Sequence, residues 1–142
     1  MLTRRGFAGI ATCWICATPV GFMATDASAQ GAAPPPTPGF KRKILSQIEG
    51  PMAGYVTVIA EVEIDAGVMI GRHTHPGIES GYVVEGIIDL PVEGRPTVSL
   101  KAGDGFQVPP NTPHAGVKNG PKMTKVVSTY VVEKGKPLAS PA

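Results

Sequence analysis

The chain has 142 residues, a formal net charge of +2 and 42% hydrophobic residues, which is typical of one globular domain with one modest core. The charge is too small to steer the chain to nucleic acid or to a membrane surface, so neither is expected as a partner. Both cysteines, Cys13 and Cys16, lie near the N-terminus, and no disulfide framework or thiolate chemistry is expected after residue 29.

Residues 1–29 are predicted to be an export signal. A twin-arginine-like sequence at Thr3–Phe7 precedes a mildly apolar stretch, and Ala27–Ala29 offers a small-x-small cleavage site. An uncleaved membrane anchor is the alternative, but the stretch is shorter and less apolar than the roughly 20 residues of a spanning helix. We therefore expect a periplasmic protein, without a stable membrane span after cleavage.

Residues 30–40 are rich in proline and are interpreted as a linker or disordered arm. Residues 41–134 are predicted to form a single all-β domain, because short β-branched runs are interrupted by glycine and proline without a helical period. Residues 135–142 are assigned to a C-terminal tail. The predicted strands are 55–64, 81–90, 97–100, 105–108 and 125–133, with turns at 65–67, 93–95 and 101–104.

The three histidines of the chain lie in two short segments that also supply a glutamate. His73 and His75 are two residues apart, and on a β-strand such residues point to the same face. Glu79 follows after a Pro-Gly-Ile step and can close on the same cavity, whereas His114 must arrive by tertiary folding. Neutral imidazoles and a carboxylate are usual ligands of a transition metal, so these four residues are predicted to hold one ion.

This pattern resembles the cupin superfamily over roughly residues 41–132. The first cupin motif places His-x-His, Glu and Gly after an initial Gly, and the chain matches it from Gly67 through the predicted ligands to Gly86. The resemblance implies a double-stranded β-helix, or jelly-roll barrel, with a metal site in its mouth. The motif is specific for fold and metal and poorly specific for the reaction.

The second cupin motif is matched less closely. Gly103, Pro109 and His114 fit it, but Asn111 replaces a glycine and Lys118 stands where an asparagine is expected. Because Asn tolerates a positive φ better than other non-glycine residues, the first departure is expected to keep the turn. The second departure removes a residue that is not a metal ligand.

The cofactor is predicted to be one divalent transition-metal ion, and Fe, Mn, Ni, Cu and Zn all remain open. Three imidazoles and one carboxylate leave such an ion electrophilic, with room for a small chelating substrate. A metal-dependent dioxygenase or related oxidoreductase is one interpretation. The alternatives are a non-catalytic small-molecule or metal-binding module and a metal-dependent isomerase or lyase, and no general acid or base is identified.

The surroundings of the site are less well defined by the sequence. The expected partner is a small molecule. The oligomeric state stays open, and a homodimer is one interpretation, because cupin barrels commonly pair through their outer sheets. Asp104 is interpreted as a turn-capping residue. Five residues could line the cavity but are interpreted as core packing, namely Tyr55, Met69, Phe106, Met123 and Tyr130.

Overall fold

The computed structural model describes residues 37–117 and 120–142. The predicted export signal, most of the predicted linker and Lys118 of the second motif lie outside these residues. The described chain forms ten strands and no helix, so no helix is present in it that could cross a membrane. The strands are β1 Phe40–Glu49, β2 Tyr55–Ile64, β3 Ile70–Thr74, β4 Gly77–Glu85, β5 Ile87–Leu90, β6 Val98–Lys101, β7 Gly105–Val108, β8 His114–Gly116, β9 Thr124–Glu133 and β10 Ser140–Pro141.

The strands pair in three antiparallel groups. A five-stranded sheet has the order β1-β2-β9-β4-β7, a three-stranded sheet has the order β10-β3-β8, and β5 pairs with β6. Isolated bridges from Asp89 to Val117 and from Val92 to His114 connect the β5 region to β8. The predicted all-β architecture is confirmed.

The core lies on the inner face of the five-stranded sheet. In β9 every second residue is buried from Thr124 to Val132, and β2 buries its even-numbered residues from Val56 to Ile64. This alternation is the period of two that a half-buried strand requires. Ser128 and Tyr130 are inward-facing members of β9, so they share their face with the core valines.

The predicted strand 81–90 is divided into β4 and β5. The division falls at Gly86, which has a φ of +86°, and a Cβ there would lie 2.5 Å from Thr124 Oγ1. Both the left-handed backbone and the close approach require glycine. The motif glycine therefore turns the chain out of the large sheet, whereas β2 and β7 have the predicted bounds.

The two ends of the described chain carry strands that the sequence did not predict. Phe40 begins β1, although residues 30–40 were assigned to the linker, and it packs against the core. Residues 135–142, assigned to a tail, contain β10, which pairs Ser140 with Thr74 of β3. Leu138 is buried. Both ends thus pack against the elements that surround the histidines.

Candidate metal centre

The four predicted ligands meet between two sheets. His73 of β3 lies opposite His114 of β8 in the three-stranded sheet, and His75 follows β3 directly. Glu79 is on the inner face of β4, opposite Tyr130 of β9. His75 thus lies just beyond the end of the strand that was expected to carry it together with His73. Their rings nevertheless lie close together, with centroids 4.9 Å apart.

The three imidazoles form a compact cluster. One ligand nitrogen of each histidine lies within 4.8 Å of those of the other two. The His73 and His114 rings have centroids 4.3 Å apart, and the His75 and His114 rings have centroids 5.0 Å apart. His75 and His114 are each 2% exposed, whereas His73 is half-buried and closest to solvent. Such spacing suits three nitrogens that share one small cation.

Each imidazole is held through Nδ1 by a backbone carbonyl. His73 Nδ1 lies 2.8 Å from the Gly71 oxygen, and His114 Nδ1 lies 2.9 Å from the Thr112 oxygen. His75 Nδ1 lies 2.5 Å from the Leu138 oxygen. A carbonyl oxygen only accepts, so each Nδ1 must carry the proton and donate it. In the neutral ring Nε2 is then left with a free lone pair, which is the tautomer that binds metals through Nε2.

Glu79 faces two of these lone pairs. Its Oε2 atom lies 3.2 Å from Nε2 of His75 and 3.2 Å from Nε2 of His114. Both Nε2 atoms are buried and have no hydrogen-bond partner among the described residues. Two nitrogen lone pairs and a carboxylate that converge without protons between them repel one another. A cation among them removes this repulsion, so the four side chains fit a metal ion.

The other carboxylate oxygen is held by β9. Ser128 Oγ donates a hydrogen bond to Glu79 Oε1 over 2.8 Å, and both residues are buried. Burial raises the pKa of Glu79, whereas the hydrogen bond donated by the Ser128 hydroxyl lowers it. Ser128 therefore favours the ionised carboxylate, which is the form that binds a metal.

Burial also determines the charge of the most exposed histidine. Burial lowers the pKa of His73 to about 4. The hydrogen bond to the Gly71 carbonyl raises this pKa, but its effect is smaller than that of burial. His73 is accordingly neutral at neutral pH, as a metal ligand must be. The cluster thus carries the single negative charge of Glu79.

The second motif brings His114 into the cluster through a turn at Asn111. Asn111 has a φ of +53°, and its backbone N–H donates to the His75 carbonyl over 2.9 Å. The expectation that Asn keeps the glycine conformation is confirmed. The capping role of Asp104 is confirmed as well, because its carboxylate accepts the Lys101 N–H at 2.9 Å.

A small cavity opens beside the cluster. Its volume is about 50 Å³, and one water needs roughly 10–15 Å³. Phe106 and Tyr130 line this cavity, contrary to the interpretation that they serve core packing alone. Arg42 and Ser128 also line it and were not recognised in the sequence. Ser128 could have been found, because the strict alternation of β9 places a serine among inward-facing valines.

Comparison with known proteins agrees with this geometry. A family model described as a cupin domain matches residues 60–130. No curated protein sequence is detectably similar to this chain. Among solved structures, an RmlC-like cupin from Shewanella frigidimarina is 29% identical, with a TM-score of 0.54 over 66% of this chain and 76% of that chain.

Two enzymes are similar in fold. The DMSP lyase DddQ from Ruegeria pomeroyi is 24% identical, with a TM-score of 0.56 over 65% of this chain and 46% of the lyase, so this chain spans less than half of the lyase's length. The polyketide cyclase RemF from Streptomyces resistomycificus is 22% identical, with a TM-score of 0.57 over 74% of this chain and 72% of the cyclase. These similarities confirm the predicted jelly-roll fold.

Proposed function

We propose that this chain, which belongs to the cupin family, binds one divalent transition-metal ion through His73, His75, Glu79 and His114 and uses it on a small chelating organic molecule. The observation that carries the proposal is the pair of buried Nε2 atoms of His75 and His114, which face Glu79 at 3.2 Å without hydrogen-bond partners. Burying these groups without partners destabilises the folded protein, unless a cation binds between them.

Each ligand has a support that prepares it for this role. The carbonyls of Gly71, Leu138 and Thr112 orient the three rings and keep Nε2 unprotonated. Ser128 fixes the Glu79 carboxylate so that Oε2 faces the histidines. Supports of this kind raise the basicity of the ligands and fix their direction. The metal ion supplies Lewis acidity or a redox centre, according to its identity.

For the reaction, we propose a metal-dependent dioxygenase or related oxidoreductase as the first candidate. It rests on the donor set, because imidazoles with one carboxylate suit the redox-active ions Fe, Mn, Ni and Cu, and on the small cavity beside these donors. A non-catalytic module that stores a metal or a small ligand would use the same donors without turnover.

A redox-neutral isomerase or lyase is the second candidate, and Tyr130 favours it. Its ring centroid lies 4.9 Å from that of His75. Burial and the nearby Glu79 carboxylate raise the pKa of Tyr130 well above its usual value, so the phenol stays protonated. The phenol interacts with Glu79 and Ser128 beside the metal ligands, and it can transfer its hydrogen bond from Glu79 to an oxygen of a bound molecule. The similarity in fold to a lyase and a cyclase is consistent with this candidate.

Elemental analysis of variants tests the metal site. His75→Ala and His114→Ala are expected to lose most of the bound metal while keeping a β-type circular dichroism spectrum, because each removes a nitrogen that no neighbour replaces. Glu79→Gln should bind metal less tightly than wild type. Glu85→Gln, on an exposed position of the same strand, is the matched control and should retain full metal content. Full retention in the histidine variants would rule out the proposed site.

Assays of turnover separate the reaction classes. Protein loaded with Fe, Mn, Ni or Cu should consume dioxygen in the presence of a diphenol, a diketone or a similar chelating molecule if the oxidoreductase proposal is right. Conversion of the molecule without dioxygen uptake supports the isomerase or lyase. Tight binding without conversion across such a panel supports the binding module.

We also propose that the chain is exported through its twin-arginine-like N-terminus and that a metal is inserted before export. The sequence pattern of residues 1–29 supports export. N-terminal sequencing of the protein from a periplasmic fraction is expected to begin at Gln30. Replacement of Arg4 and Arg5 by lysine should block export, and unchanged export would contradict the twin-arginine route.

A further inference from the structure

The cavity beside the histidines contains a cation that has no acidic partner in the described chain. Arg42 lies on the inner face of β1, because its Cα pairs with that of the buried Val62, and its side chain lines the cavity together with His73 and Glu79. Its Nε atom is buried and has no hydrogen-bond partner. The ion pairs among residues 37–117 and 120–142 all involve other cations.

Two aromatic rings hold the guanidinium in place. Arg42 Cζ lies 5.4 Å from the centroid of Phe40 and 6.0 Å from that of Tyr130. Cation–π contacts of this length stabilise the positive charge. They do not use the N–H donors in the plane of the guanidinium, which can still bind hydrogen-bond acceptors. Tyr130 also packs against His75, so one aromatic ring separates the guanidinium from a proposed metal ligand.

Charge balance indicates what kind of molecule the cavity accepts. The Glu79 carboxylate and the Arg42 guanidinium cancel each other, and a divalent ion at the neutral histidines leaves the cavity with a double positive charge. A partly buried cation whose Nε atom has no partner is unfavourable, and an anionic ligand reduces that penalty. The guanidinium fork matches a planar carboxylate in a bidentate geometry. The small volume of the cavity favours a compact carboxylate over a bulkier anion.

We propose that Arg42 binds a carboxylate of the small molecule held at the metal centre, so that the ligands of this protein are small organic acids that also chelate the metal. This inference rests on the proposed metal-binding function. Arg42 is then a specificity-determining residue, which orients the acid while its other oxygen atoms face the histidines.

A second explanation of Arg42 predicts different behaviour. β1 is an edge strand of the five-stranded sheet, and an inward-pointing charge on an edge strand prevents pairing with another chain. If edge protection were its only role, substitution would increase aggregation and leave ligand affinity unchanged. The partial burial of the guanidinium against two rings beside Glu79 favours the ligand-binding role.

Calorimetric titration of the zinc-loaded protein with malonate and with its uncharged isostere malonamide tests the proposal. Arg42→Gln is expected to weaken malonate binding by about tenfold or more, since a hydrogen-bonded charge is lost. Malonamide affinity should change by less than about twofold. The difference between the losses for malonate and for malonamide then measures the interaction of Arg42 with the charge of the ligand. Arg42→Lys should fall between wild type and Arg42→Gln, because lysine keeps the charge without the fork.

Arg95→Gln is the matched control, because Arg95 is exposed, donates to the Gln107 carbonyl and does not line the cavity. Equal malonate affinities of Arg42→Gln and Arg95→Gln would overturn the inference. Equal losses for malonate and malonamide would also overturn it, as would an absence of malonate binding to wild type at millimolar concentration. Phosphate binding tighter than malonate, with the same dependence on Arg42, would overturn the assignment to a carboxylate.

Metal content, measured on every variant after titration, keeps the two proposals apart. Absence of bound metal from all variants would contradict the proposed function. The metal-free protein would still test Arg42, because the ratio of malonate affinities between wild type and Arg42→Gln is expected to persist without the ion. Normal metal content with unchanged malonate affinity would contradict the role of Arg42 alone.

Discussion

Replacement of Ser128 by alanine tests whether the carboxylate ligand is positioned by β9. Ser128 is 1% exposed, and its hydroxyl donates to Glu79 Oε1 over 2.8 Å. Alanine fits the same space, so the substitution removes the hydrogen bond without creating a large cavity. Glu79 Oε1 is then left buried without this donor, and the carboxylate loses the contact that directs Oε2 toward His75 and His114.

The size of the effect follows from the charge of the acceptor. A hydrogen bond to an ionised group contributes about 1.5–3 kcal/mol, and each 1.4 kcal/mol or so changes an equilibrium constant tenfold. Part of this loss should appear in the free energy of unfolding of the metal-free protein. The rest should appear in metal affinity, since loss of a partner that orients a ligand typically costs about 10- to 100-fold.

Competition with a coloured chelator measures the metal affinity of Ser128→Ala, and urea unfolding of the metal-free protein measures its stability. Thr129→Val is the matched control, because it removes a hydroxyl from the outer face of the same strand and keeps the shape of the side chain. Ser128→Ala should bind metal about tenfold more weakly than this control. Metal affinity and stability both equal to those of Thr129→Val would refute the role of Ser128.

Two further predictions concern the supports of His75. A chain that ends at Pro137 lacks the Leu138 carbonyl that accepts from His75 Nδ1, and should bind metal about 10- to 100-fold more weakly in the chelator assay. A chain that ends at Ala139 keeps that carbonyl, lacks β10 and Ala142, and should lose less; equal losses would contradict the role of the carbonyl. Asn111→Val should lower the free energy of unfolding in urea by about 1–2 kcal/mol, because a β-branched residue is strained at a φ of +53°, whereas Asn111→Gly should stay within about 1 kcal/mol of wild type. An unchanged stability of Asn111→Val would contradict a rigid turn.

The proximity of the three histidines could be predicted because the motif spacing applies to them. The rings of His73 and His75 lie close together, although His75 lies just beyond β3, and the turn at Asn111 keeps the backbone that delivers His114. The alternation of β2 and β9 is equally local, so their bounds could be predicted closely. The departure at Lys118 stays untested, since that residue lies outside the described part of the chain.

The supports of the cluster could not be predicted in the same way. The carbonyl of Leu138 reaches His75 across 63 positions of sequence, and a backbone oxygen leaves no signal in side-chain chemistry. Arg42 was missed because β1 does not alternate cleanly. Its register shifts between Ile44 and Ser46, and most of its side chains are exposed. Contacts made by an edge strand or a chain end depend on tertiary pairing. They produce no periodic pattern of hydrophobic residues in the sequence, so they cannot be predicted from it.

The position of the cluster between sheets implies that metal binding and folding are coupled. His73 and His114 belong to the three-stranded sheet, and Glu79 belongs to the five-stranded sheet, so one ion bound by all of them links the two layers. The unfolded chain does not hold these residues together, and an ion that binds only the folded state stabilises it by mass action. The metal-free protein, in contrast, retains the repulsion between Glu79 and two nitrogen lone pairs. Occupancy by metal should therefore be set when the barrel folds, which fits the proposal that the ion is inserted before the folded protein is exported.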